Sequence, residues 1–200
     1  MLFSICQSGA DIKNFLLFII QKNMKVETPE IAWHFDIDTT TSVDFHPFNP
    51  LIAVAGSDST GMNVFLRIWE INVNLLRQSP PLERGNFDQL SRIFSLKSQI
   101  DTGHLQTVNC VRFSPNGRYL ATGADDTKII IWEQRYRPKE FGSSVQILTW
   151  AELKILMGHG KEVYDIKWSQ DSKWIYSASL DFSVIIWSAE KGILINKKFG

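Results

Sequence analysis

Two stretches of this 200-residue chain set a histidine, a hydroxyl residue, an aspartate and a tryptophan in one order and one spacing. In the first, His104 is followed by Thr122, Asp126 and Trp132; in the second, His159 is followed by Ser177, Asp181 and Trp187. The distance from His to Trp is 28 residues in both, with the hydroxyl residue four before the Asp and the Asp six before the Trp. Histidine, hydroxyl and carboxylate are the ingredients of a nucleophilic triad, in which the carboxylate orients an imidazole that takes the hydroxyl proton. A catalytic site occurs once, whereas this set recurs. Recurrence points instead to a buried network: the Asp accepts from the imidazole and from backbone amides, the hydroxyl contacts the same imidazole, and the indole N–H completes the set. No catalytic residue and no enzyme activity are expected.

Other chemistry-bearing residues give less. His34, His46, His104 and His159 have no Cys or His neighbours at metal-ligand spacing, so neither a zinc site nor a cofactor is expected. Gly158-His159-Gly160-Lys161 lacks the glycine spacing and the Ser or Thr of a phosphate-binding loop. Trp33, Trp168 and Trp174 sit in strand patterns and read as packing residues rather than stacking platforms for bases. Arg135-Tyr136-Arg137-Pro138-Lys139 is a small basic cluster that reads as a solvated loop. Of the two cysteines, Cys110 lies in an alternating apolar segment and reads as a buried free thiol, and so low a count favours a reducing compartment. With 21 basic and 21 acidic residues, the chain has neither a basic nucleic-acid arm nor an acidic tail, and direct sequence-specific DNA binding is not expected.

The tetrads belong to a longer repeat. Val108, Val111 and Phe113 lead through Ser114-Pro115-Asn116-Gly117 and Tyr119–Thr122 to Ile129-Ile130-Ile131-Trp132; Val163, Ile166 and Trp168 lead through Trp174–Ser177 to Val184-Ile185-Ile186-Trp187. A degenerate earlier copy runs from Val43-Asp44-Phe45-His46-Pro47 through Ile52–Asp58 to Phe65–Trp69, with a longer turn. Each copy contains three short β-branched or alternating runs divided by turn residues, and Lys154-Ile155-Leu156-Met157 supplies a fourth strand. Units of about 40 to 45 residues with four strands and a Gly-His…Trp frame are blades of an all-β WD40-repeat propeller. The Trp69–Trp132 and Trp132–Trp187 spacings of 63 and 55 exceed one blade, so insertions fall within 70–100 and 133–150 and are expected to project as loops from one rim. Asp125 and Leu180-Asp181-Phe182 should also lie near a rim, though no residue is assigned a partner.

The expected organisation is a ring-closing strand at about 25–33, blade 1 at about 34–102, blade 2 at about 103–157 and blade 3 at about 158–200. Residues 1–23 read as an extension outside the fold, with Met24 a natural start. Their longest apolar run, Phe15–Ile20, falls far short of the roughly 18 to 20 residues of a membrane span. Three blades are a partial ring, about three of seven, and the chain reads as a fragment, an isoform or a truncated gene. Unclosed sheet edges and faces should make it poorly soluble alone.

Met24-Lys25-Val26-Glu27 and Glu30-Ile31-Ala32-Trp33-His34 resemble the opening of one family, that of the middle, WD-repeat subunit of chromatin assembly factor 1. Val108–Pro115, Val163–Ile166 and the Asp181…Trp187…Lys191-Gly192 stretch are similar to the same family, and the resemblance covers residues 24–200. Phe141-Gly142-Ser143-Ser144 and the long first-blade turn look more like the histone regulator A family, itself a histone chaperone family with an amino-terminal propeller. The resemblance implies a non-catalytic nuclear scaffold in a complex with a large subunit and a small WD-repeat histone-binding subunit. Such a complex deposits core histones on replicating or repaired DNA. It also implies recruitment of the anti-silencing-function chaperone, but through a carboxy-terminal region that these 200 residues do not include. A different class of reading comes from Trp132-Glu133-Gln134-Arg135, which resembles the Trp-Asp-x-Arg ending of substrate receptors of cullin ubiquitin ligases.

Overall fold

The computed structural model describes residues 39–57, 64–78, 91–138 and 146–199. The 25–33 strand, residues 1–23, His34, Cys6 and the Phe141–Ser144 segment lie outside the described residues.

Among the described residues, twelve strands form three four-stranded antiparallel sheets in chain order. The first holds β1 (Thr39–Phe45), β2 (Leu51–Ser57), β3 (Val64–Ile71) and β4 (Phe94–Ile100); the second β5 (Val108–Phe113), β6 (Tyr119–Ala124), β7 (Ile129–Pro138) and β8 (Gln146–Leu156). The third holds β9 (Val163–Trp168), β10 (Trp174–Ser179), β11 (Ser183–Ser188) and β12 (Ile193–Phe199). A helix, α1 (Val73–Gln78), follows β3. Two-residue alternation is clearest in the third sheet, where Val184 of β11 is exposed while Ile185 and Trp187 are buried, whereas β2 and β6 are buried along nearly their whole length.

The same local chemistry recurs between strands. In the turn from β5 to β6, Tyr119 N–H donates to Ser114 Oγ at 2.9 Å and Gly117 takes φ +72°, a left-handed conformation that glycine adopts without a Cβ clash. Trp174 N–H donates to Ser169 Oγ at 2.9 Å in the corresponding turn of the third sheet. All three sheets shift register at the third-strand tryptophan, between Ile68 and Trp69, Ile131 and Trp132, and Ile186 and Trp187. The sheets stack through their first strands, β5 touching both β1 and β9. Ala53, Leu66 and Ile68 pack on Val111, Leu120 and Ile130; Ala121, Ile129 and Ile131 pack on Ile166, Ile175 and Ile185.

Two insertion expectations change. The 133–150 stretch is largely not a loop: β7 and β8 stay paired from Glu133↔Ala151 out to Pro138↔Gln146, because both strands run on past the sheet. Arg135, Tyr136 and Arg137 therefore lie on a strand, and the fourth strand starts at Gln146 rather than Lys154. The 70–100 stretch likewise contains that blade's fourth strand, β4, and also α1, whose Val73 and Leu76 pack with Ile93 on the outward face of the first sheet.

Candidate functional site

The structure brings each set of four recurrent residues together. His104, in the connection from β4 to β5, places Nδ1 at 3.0 and 3.1 Å from the two Asp126 carboxylate oxygens. Its Nε2 lies 2.9 Å from Thr122 Oγ1, to which the Trp132 indole donates at 3.0 Å. In the third sheet His159 Nδ1 lies 3.3 and 3.2 Å from the Asp181 oxygens, Nε2 is 2.7 Å from Ser177 Oγ, and the Trp187 indole donates to that oxygen at 2.8 Å. A carboxylate only accepts, so in each set Nδ1 carries a proton. The hydroxyl then sits between imidazole and indole.

Each Asp also ties down its own turn. Asp126 accepts from the amides of Leu105 and Lys128 at 3.1 and 3.2 Å. Asp181 accepts from the amides of Gly160 and Ser183 at 2.8 and 2.9 Å, from Ser183 Oγ, and from Lys197 Nζ at 3.0 Å. Burial pushes both carboxyl groups up, but these donors outweigh it and hold both below the ordinary 3.8. For His159, burial pulls the imidazole below 6.5 against the opposing pull of Asp181.

The arrangement has the connectivity of a triad without its access. Thr122 and Ser177 are 0% and 1% exposed, and each oxygen already accepts an indole N–H. A substrate carbonyl cannot reach either one. In the first sheet the pattern is broken at its hydroxyl, since Val54 pairs with Arg67 at the register where Thr122 pairs with Ile130 and Ser177 with Ile185.

Sequence spacing did not reveal a second set of bonds, which links one sheet to the next. His46 Nδ1 accepts from the amides of Phe48 and Asn49 at 3.1 and 2.9 Å, so the neutral ring carries its proton on Nε2 and donates to Gly117 O at 3.0 Å. Asp44 accepts from Phe113 N–H at 2.8 Å, and Ser42 Oγ accepts from Val111 N–H and Arg112 at 3.1 and 3.0 Å. On the other side, Arg112 reaches Asp165 at 2.8 Å and the Trp168 indole donates to Arg112 O at 3.1 Å. Asn116 N–H donates to Ser172 Oγ at 3.1 Å. The only trace in the sequence is that polar residues alternate with apolar ones along the first strands, as in Ser42-Val43-Asp44-Phe45.

The remaining singled-out residues fall as follows. Cys110 is buried and free, and burial pushes its thiol up to about 12, which keeps it unreactive. Trp168 stacks on Tyr119, and Trp174 lies in β10. Leu180 and Phe182 are exposed at the β10–β11 turn. Glu133 and Arg135, from the Trp-Glu-Gln-Arg run, pair with each other at 3.1 Å on the extended hairpin. Among the described residues no three His, Cys, Asp or Glu gather in a way that could hold a metal ion.

Residues 24–198 match the model of the CAF1B/HIR1 beta-propeller domain family. Protein HIRA of Xenopus laevis is 36% identical over 156 residues, covering 75% of this chain and 14% of that protein. The CAF1B subunit of chromatin assembly factor 1 from Mus musculus is 36% identical over 177 residues, covering 84% and 28%. The chromatin assembly factor 1 subunit FAS2 homolog of Oryza sativa subsp. japonica is 33% identical over 177 residues, covering 88% and 30%. The chain thus spans 14 to 30% of the length of these relatives. The solved WD40 repeats of RRP9 superpose with a TM-score of 0.56 at 20% identity, over 81% of this chain and 39% of that one, a likeness of fold alone. The three sheets are blades of a partial WD40 β-propeller.

Proposed function

The chain belongs to the CAF1B/HIR1 β-propeller family, and from that premise we propose that it is a non-catalytic WD-repeat scaffold of a histone-chaperone complex, supporting deposition of core histones on DNA. The observation that carries this reading is the family match over residues 24–198, with relatives named as subunits of chromatin assembly factor 1. The two tetrads are structural in this reading. Their hydroxyls are buried and engaged, and each Asp ties the turn between the second and third strands to the loop that enters the blade.

The partners in this reading are the large and small subunits of chromatin assembly factor 1 and, through the complex, core histones, in the nucleus. The neutral balance of 21 basic and 21 acidic residues supports contact with DNA through those partners, since gripping phosphates directly needs a basic footprint. Identity to Protein HIRA of Xenopus laevis equals that to the mouse CAF1B subunit, 36% in both cases. A replication-independent, HIRA-type complex is therefore the second reading.

Affinity purification of the tagged chain from nuclear extract, followed by mass spectrometry, separates them. Recovery of the two chromatin assembly factor partners supports the first reading, and recovery of HIRA-complex subunits supports the second. Recovery of cullin-ligase adaptors without histone chaperones overturns both.

A further inference from the structure

The β7–β8 hairpin outruns its blade. The last pair between β6 and β7 is Tyr119↔Glu133, whereas β7 and β8 stay paired as far as Pro138↔Gln146. Beyond Gln134, whose N–H donates to Arg118 O at 3.3 Å, no strand among the described residues pairs with the other edge of β7. Backbone groups of an antiparallel strand alternate in direction, so the N–H and C=O of Tyr136 point outward, on the same side as the Gln134 N–H. Such an edge is a ready template for another strand.

The side chains give this edge a sign. Glu133, Arg135 and Arg137 share one face, with same-face neighbours about 7 Å apart along the strand. Arg118, from the β5–β6 turn, joins that face at 3.2 Å from Glu133, and Arg135 meets the same carboxylate at 3.1 Å. One carboxylate thus serves two guanidinium groups, and Arg137 beside them has no ion pair among the described residues. The opposite face carries Tyr136, 74% exposed, across from Leu148.

We propose that this edge docks an extended acidic segment of a partner protein as an added strand. An extended peptide repeats its same-face side chains at the two-residue period of Arg135 and Arg137, so alternate carboxylates meet successive guanidinium groups while its backbone pairs with Tyr136. A nucleic acid fits less well: the face is short, and it belongs to a chain with no net charge. The proposal stands on the hairpin alone and does not depend on the histone-chaperone reading.

The test uses the full chain immobilised at low density. The probes are a soluble peptide of alternating Glu and Thr, its block isomer with all Glu before all Thr, the alternating peptide N-methylated at every second residue, and oligo-deoxythymidine. The alternating peptide should bind more tightly than its block isomer, lose binding on N-methylation, and weaken about tenfold or more with Arg137→Glu but less with Arg137→Lys. An unchanged melting temperature for both variants excludes unfolding as the cause, and the exposed position of Arg137 makes that the expected result. Equal binding of the two isomers, indifference to Arg137→Glu, or tighter binding of oligo-deoxythymidine that Arg137→Glu abolishes would each overturn the proposal.

Discussion

Thr122 and Ser177 each hold one oxygen between an imidazole and an indole, both of which are buried. Ser177→Ala therefore leaves two polar nitrogens without a partner, and unfolding in urea should show a loss of about 2 kcal/mol. Asp181→Asn should cost about 1–3 kcal/mol by the same measurement, because an amide cannot accept from as many donors as the carboxylate does. Acid should act through the histidines first. His46 and His159 are held below 6.5 chiefly by burial, so the folded chain binds fewer protons there than the unfolded one. That stability is complete above 6.5 and is lost as pH falls from 6.5 through the folded values; the lowered Asp126 and Asp181 lose theirs only below 3.8. The urea midpoint should accordingly drop as pH falls below about 6.5, and His46→Asn, which keeps an acceptor for the turn amides, should flatten part of that drop.

At the scale of elements, the turn from the first strand to the second binds one blade to the next. Gly117 has φ +72°, and a Cβ added there would lie 2.7 Å from the His46 ring, which bonds the Gly117 carbonyl from the preceding blade. Gly117→Ala should cost about 1–3 kcal/mol in thermal or urea unfolding, combining left-handed strain with displacement of that ring. Ser172 occupies the corresponding turn at φ 60°, and its Oγ accepts from Asn116 N–H, a contact that offsets the strain. The third-strand tryptophans mark a second recurrent feature, a register shift in every blade where the fourth strand pairs. Strand identity and the Ser-Pro-Asn-Gly turn were legible in the sequence because both are local. The continuation of β7 to Pro138 was not. Arg135-Tyr136-Arg137 alternates too weakly in hydropathy to announce a strand, and its order comes from cross-strand bonds to β8.

Across the whole molecule, each blade buries its face on the next until the third. Ala121, Ile129 and Ile131 of the second blade are buried, but the corresponding Tyr176 and Val184 of the third are 40% and 49% exposed. This 200-residue polypeptide should self-associate through that face. Light scattering after size exclusion should show oligomers that Tyr176→Lys combined with Val184→Lys converts toward monomer, with little change in melting temperature. A monodisperse monomer before substitution would contradict the expectation.

The amino-acid sequence by itself determined the repeat, the blade fold, the family and the membership of both tetrads. The repeat, the blade fold and the tetrads follow from strand periodicity and from residue types held at fixed separations within one blade, and the family from the resemblance carried by Met24–Glu27 and Glu30–His34. Tertiary structure alone decided what joins the blades. His46 and Gly117 are 71 residues apart, and Ser42 meets Arg112 across 70, with no spacing rule to link them. It also decided that the triad-like hydroxyls are sealed from solvent, that α1 packs on the outward face of the first blade, and that a basic segment joined a hairpin that outruns its blade. The reason is physical: local patterning sets which strands form and which of their faces are apolar, whereas inter-blade bonds and exposure depend on which surfaces the stacked sheets bring together.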